Sequence, residues 1–252
     1  MKAGDLLKPF GLELRKRGQS ISSLEARPKT ATAGLIIEFI GTQGVGKTTL
    51  NNRVRKHLKD SWLFREDLEY TGPTEIRSGD LEKLHRKILF ERLDRLQDMQ
   101  EDAWGSLTVA RQMSKVLYQS LTISTHDFPK GFVLDEGVVK NFPVEVSELG
   151  PEEEAALWKN RALIYLRARD PDFALKRYQG RTAKRRRKGM FQQSRADSKV
   201  RSRIEKDNET FDRIVATAQS FGCPTVVVYV EDGLESNLQT VLEFERQLNP
   251  AT

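Results

Sequence analysis

Apolar and polar residues follow two different patterns along the chain. Short continuous apolar runs, such as LIIEFI at 35–40, are typical of strands buried on both faces of a parallel sheet. Longer segments, such as 80–104, repeat apolar residues every three or four positions and predict amphipathic helices. Strands are predicted at 35–40, 61–66, 131–136, 162–168 and 224–230. Helices are predicted at 47–58, 80–104, 106–125, 151–160, 200–222 and 234–248, with a short one after Asp170.

Strands that alternate with helices predict an α/β fold in which a parallel sheet carries helices on both faces. The 252 residues are enough for one such domain. The first 33 residues do not share the pattern, because they are polar, basic and interrupted by Pro9. We therefore expect a basic N-terminal extension at 1–33 and a single domain at 34–252.

The first apolar run ends in a glycine-rich segment, GTQGVGKTTL at 41–50. It matches the pattern G-x-x-x-x-G-K-[ST], in which glycines let backbone N–H groups turn toward phosphate oxygens and the lysine reaches the β- and γ-phosphates. The following helix points its positive end at the same anion. The segment predicts a P-loop that binds ATP, and hence a P-loop NTPase three-layer sandwich with a five-stranded parallel sheet. The predicted nucleotide-binding residues are Gly41, Gly44, Val45, Gly46, Lys47, Thr48 and Thr49, and Lys47 is also a catalytic candidate.

Two acidic residues, Asp135 and Glu136, end the third predicted strand. Ligands of open α/β sheets lie at the carboxyl ends of the strands. A carboxylate at this edge can hold Mg²⁺ or accept the proton of an attacking hydroxyl. We expect Thr48 and Asp135 at the metal and both acids among the catalytic residues. Either acid could be the base, and the sequence leaves that choice open.

A basic segment follows the fourth predicted strand, with eight lysines and arginines between 176 and 188. We expect it to pass from a short helix into a basic loop that forms a lid at about 178–196. Such a lid neutralises charge on the transferring phosphoryl group and excludes water. Arg177 and Arg181 are the catalytic candidates. The run KRRRK at 184–188 has two interpretations, an exposed charge run or a ligand contact, and both stay open.

Together these segments resemble the thymidylate kinase and deoxynucleoside kinase group of P-loop kinases. The matching segments are GTQGVGKTTL (41–50), FREDLEYTGP (64–73), GFVLDEGVV (131–139) and LIYLRARDPDFALKRYQGR (163–181). The resemblance implies a kinase that transfers the γ-phosphoryl group of MgATP to a hydroxyl or phosphate of a small acceptor, a nucleoside or nucleotide.

The resemblance also implies where the acceptor binds. In this group the acceptor lies between the end of the second strand, two long helices and the lid, so Arg65, Glu66 and Arg111 are expected to face it. The group usually has arginine where this chain has Glu136, which weakens the case for a nucleoside monophosphate. A nucleoside, a sugar or another hydroxyl compound are the alternatives. Members often dimerise through a long helix, which makes 106–125 a candidate homodimer surface.

Composition adds one further class of function. A net charge of +6 fits an anionic partner without identifying it. The alternative to a small-molecule kinase is therefore an NTP-dependent nucleic-acid-associated protein or a non-kinase regulatory NTPase, although the chain lacks the N-K-x-D motif of guanine-specific switches. A single cysteine, Cys223, excludes an intrachain disulfide, and no apolar run approaches the roughly 18 residues of a membrane span. We expect a cytoplasmic protein with no membrane partner.

Overall fold

Five parallel strands form one sheet in the computed structural model, which describes residues 24–67, 79–98, 103–187 and 197–248. Their order across the sheet is β2-β3-β1-β4-β5, and every neighbouring pair is parallel. The predicted five-stranded parallel sheet is therefore confirmed. The strands are β1 (Ile36–Ile40), β2 (Leu63–Phe64), β3 (Phe132–Leu134), β4 (Arg161–Arg167) and β5 (Thr225–Tyr229).

The register brings the ends of the three middle strands to one edge. Ile36 on β1 lies opposite Phe132 on β3 and Arg161 on β4. Farther along, Glu38 lies opposite Leu134, the last residue of β3. The segments that follow β1, β3 and β4 therefore leave the sheet side by side at its carboxyl edge, where open α/β sheets bind their ligands.

Helices connect the strands and cover the sheet. They are α1 (Lys47–Leu58), α2 (Asp80–Asp98), α3 (Ala103–Thr125), α4 (Val138–Asn141), α5 (Pro143–Val146), α6 (Pro151–Trp158), α7 (Pro171–Arg187), α8 (Asp197–Ser220) and α9 (Leu234–Leu248). Single 3₁₀ turns lie at Arg65–Asp67 and Val230–Asp232. None of the helices in the described ranges is both long enough and apolar enough to cross a membrane.

Two of these elements differ from the predicted ones. Strand β2 is shorter than the predicted 61–66, because the chain enters a 3₁₀ turn at Arg65 and the Phe64 amide donates to the Asp67 carboxylate at 2.8 Å. Helix α7 continues to Arg187, so the basic residues up to that point belong to a helix and not to the predicted loop. Alanine, lysine and arginine are good helix formers, which explains the extension. The rest of the predicted lid, 188–196, lies outside the described residues.

Alternate residues of β1 pack into different layers. Ile37 and Phe39 join one apolar cluster with α1 and α9, whereas Ile40 joins a second cluster with α2 and α8. Alternation along a strand places successive side chains on opposite faces of the sheet. The predicted three-layer sandwich, with helices on both faces, is confirmed.

One buried hydrogen bond joins the residue before β2 to the last helix, α9. The Trp62 indole N–H donates to the Glu245 carboxylate at 2.7 Å, and both side chains are buried. We expect Trp62→Phe to lower the free energy of unfolding by about 1–3 kcal/mol, because a buried acceptor then loses its donor. Urea denaturation measures the loss. The double variant Trp62→Phe/Glu245→Leu removes both polar partners and should recover part of it; a further loss of stability would contradict this explanation.

A buried histidine on α2 predicts a pH dependence of stability. Neither ring nitrogen of His85 makes a hydrogen bond of good geometry with the described residues, although a weaker interaction with the Leu81 backbone favours the charged ring. Burial, and to a smaller extent the Arg161 charge, lowers the pKa of His85 to about 3. In the unfolded chain the pKa of a histidine is near 6.5, so the unfolded state binds the proton first as the pH falls. Between these values His85 should cost about 1.4 kcal/mol of stability for each pH unit of acidification.

Urea denaturation at pH 7, 6 and 5 measures this slope. The variant His85→Met should flatten it, because the unfolded chain then has no proton to bind at this position. The matched control is His57→Gln, which removes an exposed histidine from α1. Equal slopes in the wild type and His85→Met would show that His85 does not control the acid sensitivity.

Candidate active site

The glycine-rich loop between β1 and α1 has the backbone geometry of a phosphate-binding loop. Gly41, Gly44 and Gly46 have φ angles of 128°, 94° and 97°, in the left-handed region that favours glycine. A Cβ on Gly41 would lie 2.1 Å from the Leu166 carbonyl oxygen, so the loop passes directly against β4. Helix α1 begins at Lys47, immediately after Gly46. Its positive end therefore faces the concave side of the loop.

Lys47 lies at the centre of this loop. Its ammonium group donates to the carbonyl oxygens of Gly41 at 2.6 Å and Thr42 at 2.7 Å. Burial, together with the nearby charge of Lys140, holds the pKa of Lys47 well below its usual value. The carboxylates of Glu136, Asp207 and Asp135 oppose this shift, in that order. The Lys47 side chain is thus desolvated and lies within electrostatic range of several acids.

Asp135 and Glu136 follow β3, and both carboxylates interact electrostatically with Lys47. Asp135 is half-buried and Glu136 is exposed. Burial raises the pKa of Asp135, the carboxylates of Glu136 and Glu66 raise it further, and Arg65 opposes them. Three carboxylates at the end of neighbouring strands therefore repel each other, and a cation would relieve that repulsion.

The acceptor-side residues predicted from the family resemblance lie in different surroundings. Glu66 accepts from the Arg55 guanidinium at 2.8 Å, and Arg55 also binds Asp67 at 2.8 Å. Arg65 is half-buried and close enough to Asp135 to lower that residue's pKa. Arg111 is exposed on α3, and no hydrogen bond or ion pair within the described part of the chain joins it to the loop. The structure groups Arg65 and Glu66 with Asp135, but it does not bring Arg111 to them.

The basic helix α7 contacts the glycine-rich loop through Arg177. A Cβ added to Gly46 would lie 2.8 Å from Arg177 Nη2, so the guanidinium lies directly over this glycine. Gly44 faces the same helix at Ala174 and Tyr178. The backbone of Arg181 continues α7, whereas its side chain lies outside the described residues.

A small cavity of about 80 Å³ opens beside the loop. Val45, Gly46 and Thr49 form one side of it, and Arg177 forms another. The remaining lining is mostly apolar and includes Val230 and Leu234, after β5. The cavity is smaller than the roughly 300 Å³ or more of a typical ligand pocket, so it marks only a gap between the loop, α7 and the segment after β5. Thr48, the second residue of α1, is exposed at the mouth of the loop.

Three residues of this site were not predicted from the sequence. Asp207 on α8 accepts from the Thr42 hydroxyl at 3.2 Å, across 165 positions of sequence. Lys140 on α4 is half-buried, and its neighbours Glu136, Asp207 and Arg203 all influence its pKa, which burial lowers. Glu38, in the middle of β1, is fully buried and accepts from Arg161 Nη1 at 2.6 Å. Glu38 could have been identified from the sequence, because a carboxylate within an apolar strand needs a buried partner.

Comparison with known proteins finds solved structures with a similar fold. No protein-family model and no curated protein matches the chain. The solved structures that are similar to this chain include the following three. Deoxyadenosine kinase from M. mycoides, with the products dCMP and dCDP bound, is 15% identical with a TM-score of 0.45, over 84% of this chain and 100% of that one. Shikimate kinase from Bacteroides thetaiotaomicron is 15% identical with a TM-score of 0.42, over 84% and 98%. A gluconokinase from Sinorhizobium meliloti 1021 is 14% identical with a TM-score of 0.41, over 86% and 94%.

All three TM-scores lie below 0.5, so these likenesses add nothing to the fold that the sheet order establishes. The candidate function depends on the residues of the site.

Comparison of two left-handed glycines separates the effect of the loop on nucleotide binding from the effect of backbone strain on stability. Gly46 has φ 97° and lies under Arg177, whereas Gly34 has φ 83° and open space around it. Alanine at either position should cost about 1–2 kcal/mol of backbone strain. We expect Gly46→Ala also to weaken MgATP binding by roughly tenfold or more, because relief of that strain distorts the loop.

Isothermal titration calorimetry measures the affinity for MgATP, and thermal denaturation measures the strain. Gly34→Ala is the matched control and should lose stability without losing affinity. Equal affinities in the wild type and Gly46→Ala would contradict a phosphate-binding role for this loop.

Proposed function

We propose that the chain is a kinase that transfers the γ-phosphoryl group of MgATP to a hydroxyl or phosphate of a small acceptor, a nucleoside or nucleotide. The observation that carries the proposal is the position of the Lys47 ammonium, bound to the carbonyls of Gly41 and Thr42 inside a loop of left-handed glycines. Asp135 and Glu136 supply carboxylates within electrostatic range of that ammonium.

The loop would hold the triphosphate. Its backbone amides and the positive end of α1 favour an anion. Lys47 would leave the loop carbonyls for the β- and γ-phosphates, which are stronger acceptors because they carry full negative charge. The base of the nucleotide would lie beside Val45 and Thr49, where the gap that Arg177 also lines would have to widen to admit it.

The residues present fit a magnesium ion. No group of three or more acidic, histidine or cysteine residues that could hold a metal occurs in the described ranges. Mg²⁺ does not require one, because it is commonly bound by one or two protein oxygens together with phosphate oxygens and water. Thr48 and Asp135 would supply those protein oxygens. When bound, the ion would neutralise charge on the phosphates.

The crowded carboxylates would also serve the acceptor. Without the ion, burial and the neighbouring acids raise the pKa of Asp135, whereas a bound Mg²⁺ would lower it. Glu136 would take the proton of the attacking hydroxyl where Asp135 binds the ion, and Asp135 would take it where Thr48, phosphate oxygens and water hold the ion without it. Arg177, and Arg181 farther along the same helix, would stabilise the charge that develops on the transferring group. Arg65, Glu66 and Arg111 would contact the acceptor, as the family resemblance implies.

Substitution of the loop lysine is the direct test. We expect Lys47→Ala to lower the rate of phosphoryl transfer by about 10²–10³-fold or more, because the transition state then loses a preorganised cation. The measurement is transfer from radiolabelled MgATP to a panel of nucleosides, nucleotides and sugars. Lys56→Ala, on the exposed side of the same helix, is the matched control and should leave the rate unchanged.

Circular dichroism and thermal denaturation establish that Lys47→Ala is folded. A folded Lys47→Ala protein that transfers phosphate at the wild-type rate would overturn the proposal. Transfer to no small acceptor, combined with retention of RNA or DNA at low salt that is lost as salt increases, would favour the nucleic-acid-associated alternative.

A further inference from the structure

The buried carboxylate of Glu38 contacts the backbone of the turn that carries the two acids. We propose that Glu38 is a positioning residue, which fixes the Asp135–Lys140 turn against β1 and thereby sets the position of Asp135 and Glu136 relative to Lys47. This inference rests on the proposed function for its effect on catalysis. The contact itself does not depend on that function.

Glu38 is held from one side by an arginine of the neighbouring strand. Its carboxylate accepts from Arg161 Nη1 at 2.6 Å, and both side chains are almost completely buried. Arg161 Nε in turn donates to the Leu157 carbonyl at 3.2 Å, at the end of α6. The carboxylate is thus fixed within the sheet, between β1 and β4.

The other side of the carboxylate meets the turn. The Lys140 amide donates to Glu38 Oε1 at 2.8 Å, and the Val139 amide faces the same carboxylate. A Cβ on Gly137 would lie 2.4 Å from Glu38 Cδ and 2.5 Å from Oε2. Gly137 has an extended backbone with φ −102°, which any residue can adopt. The position requires glycine because a side chain would collide with the Glu38 carboxylate.

These contacts restrain both ends of the short segment that carries the acids. On the N-terminal side, Leu134 pairs with Glu38 in the sheet. On the C-terminal side, Gly137 and Lys140 rest on the Glu38 side chain. Asp135 and Glu136 lie between these two points, and the same strand β1 leads into the loop that holds Lys47. One residue therefore links the position of the acids to the position of the loop.

The double variant Glu38→Met/Arg161→Met distinguishes a positioning role of Glu38 from a role in core packing alone. Buried ion pairs can often be replaced by apolar residues of similar volume without loss of stability. If Glu38 and Arg161 only fill the core, the double variant Glu38→Met/Arg161→Met should fold and retain activity. If Glu38 positions the turn, the double variant should fold but lose turnover, because its side chain no longer accepts from the turn.

The chain offers a matched control for the burial of a carboxylate. Glu145 on α5 is also fully buried and lies near Arg92 Nη1 at 3.4 Å and Arg95 Nε at 3.3 Å on α2. Glu145 itself has no hydrogen bond or ion pair with the segment from Asp135 to Lys140, although Arg92 also donates to the Asn141 carbonyl directly after it at 3.1 Å. Glu145→Met therefore tests the loss of a buried carboxylate that lies close to the turn but accepts from none of its amides.

The experiment combines amide hydrogen exchange with steady-state kinetics on the full chain. For Glu38→Met/Arg161→Met we expect exchange at Val139 and Lys140 to accelerate by at least tenfold, since a factor of ten follows from a small loss of local stability. With the best acceptor from the screen, kcat should fall by about a hundredfold, the loss typical of a misplacement near 1 Å. The KM for MgATP should change less than kcat, because the loop keeps its contacts to the phosphates and only the Asp135 side of the magnesium site is displaced. Glu145→Met should change neither the exchange at these amides nor kcat.

A second pair of variants tests the contact between Glu38 and the turn by changing the turn at Gly137. Gly137→Ala places a methyl group against the Glu38 carboxylate and should lower kcat in the wild-type background. In the Glu38→Met/Arg161→Met background the same change should have little further effect, because the turn is already released.

The outcomes separate the inference from the proposed function. Unchanged exchange at Val139 and Lys140 in the double variant would overturn the anchoring of the turn, whether or not an acceptor is found. Accelerated exchange with an unchanged kcat would show that Glu38 only supports the fold. A wild-type protein that phosphorylates no acceptor would count against the proposed function, and the exchange measurement would still decide whether Glu38 holds the turn.

Discussion

Strand β1 lies between β3 and β4, and this placement determines where the chemistry of the molecule can occur. Parallel pairing on both sides means that the segments after β1, β3 and β4 leave the sheet next to each other. The loop with Lys47 follows β1, and the turn with Asp135 follows β3. Helix α7 follows β4 and brings Arg177 onto Gly46. A different strand order would separate these groups, even with the same helices and strands.

Burial makes the charges at this edge interact strongly. Lys47 is almost completely buried, and Asp135 and Lys140 are partly so. In such an environment water screens charges poorly, so each charge changes the protonation of the others. Lys140 lowers the pKa of Lys47, and Glu136 raises the pKa values of both lysines and of Asp135. The cations and carboxylates therefore form one coupled set, and a bound polyphosphate or divalent cation would redistribute charge through all of it.

Sequence alone predicted the parts of this site that depend on local chain geometry. The glycines, Lys47 and Thr48 are adjacent in sequence, and a loop of this kind needs those residue types in that order. The continuous apolar runs predicted the strands of the sheet. Asp135 and Glu136 were predicted as site residues because they come at the end of a predicted strand. Asp207 and Lys140 could not be predicted in this way, because their partners are set by tertiary packing: α8 reaches Thr42 across 165 positions. The length of α7 was missed for a different reason, since a dense run of lysine and arginine suggested a loop although each residue favours a helix.

Under the proposed function, the acid at position 136 would affect which acceptor can enter the site. Glu136 attracts Lys140, four residues farther along the chain. Arg203 on α8 is near enough to Lys140 to lower its pKa. A phosphate on the acceptor would be repelled by Glu136 and would compete with it for the Lys140 ammonium. An uncharged acceptor would leave that attraction intact and would need only a carboxylate to accept its proton. The two classes of acceptor therefore differ in whether the interaction between Glu136 and Lys140 has to be broken.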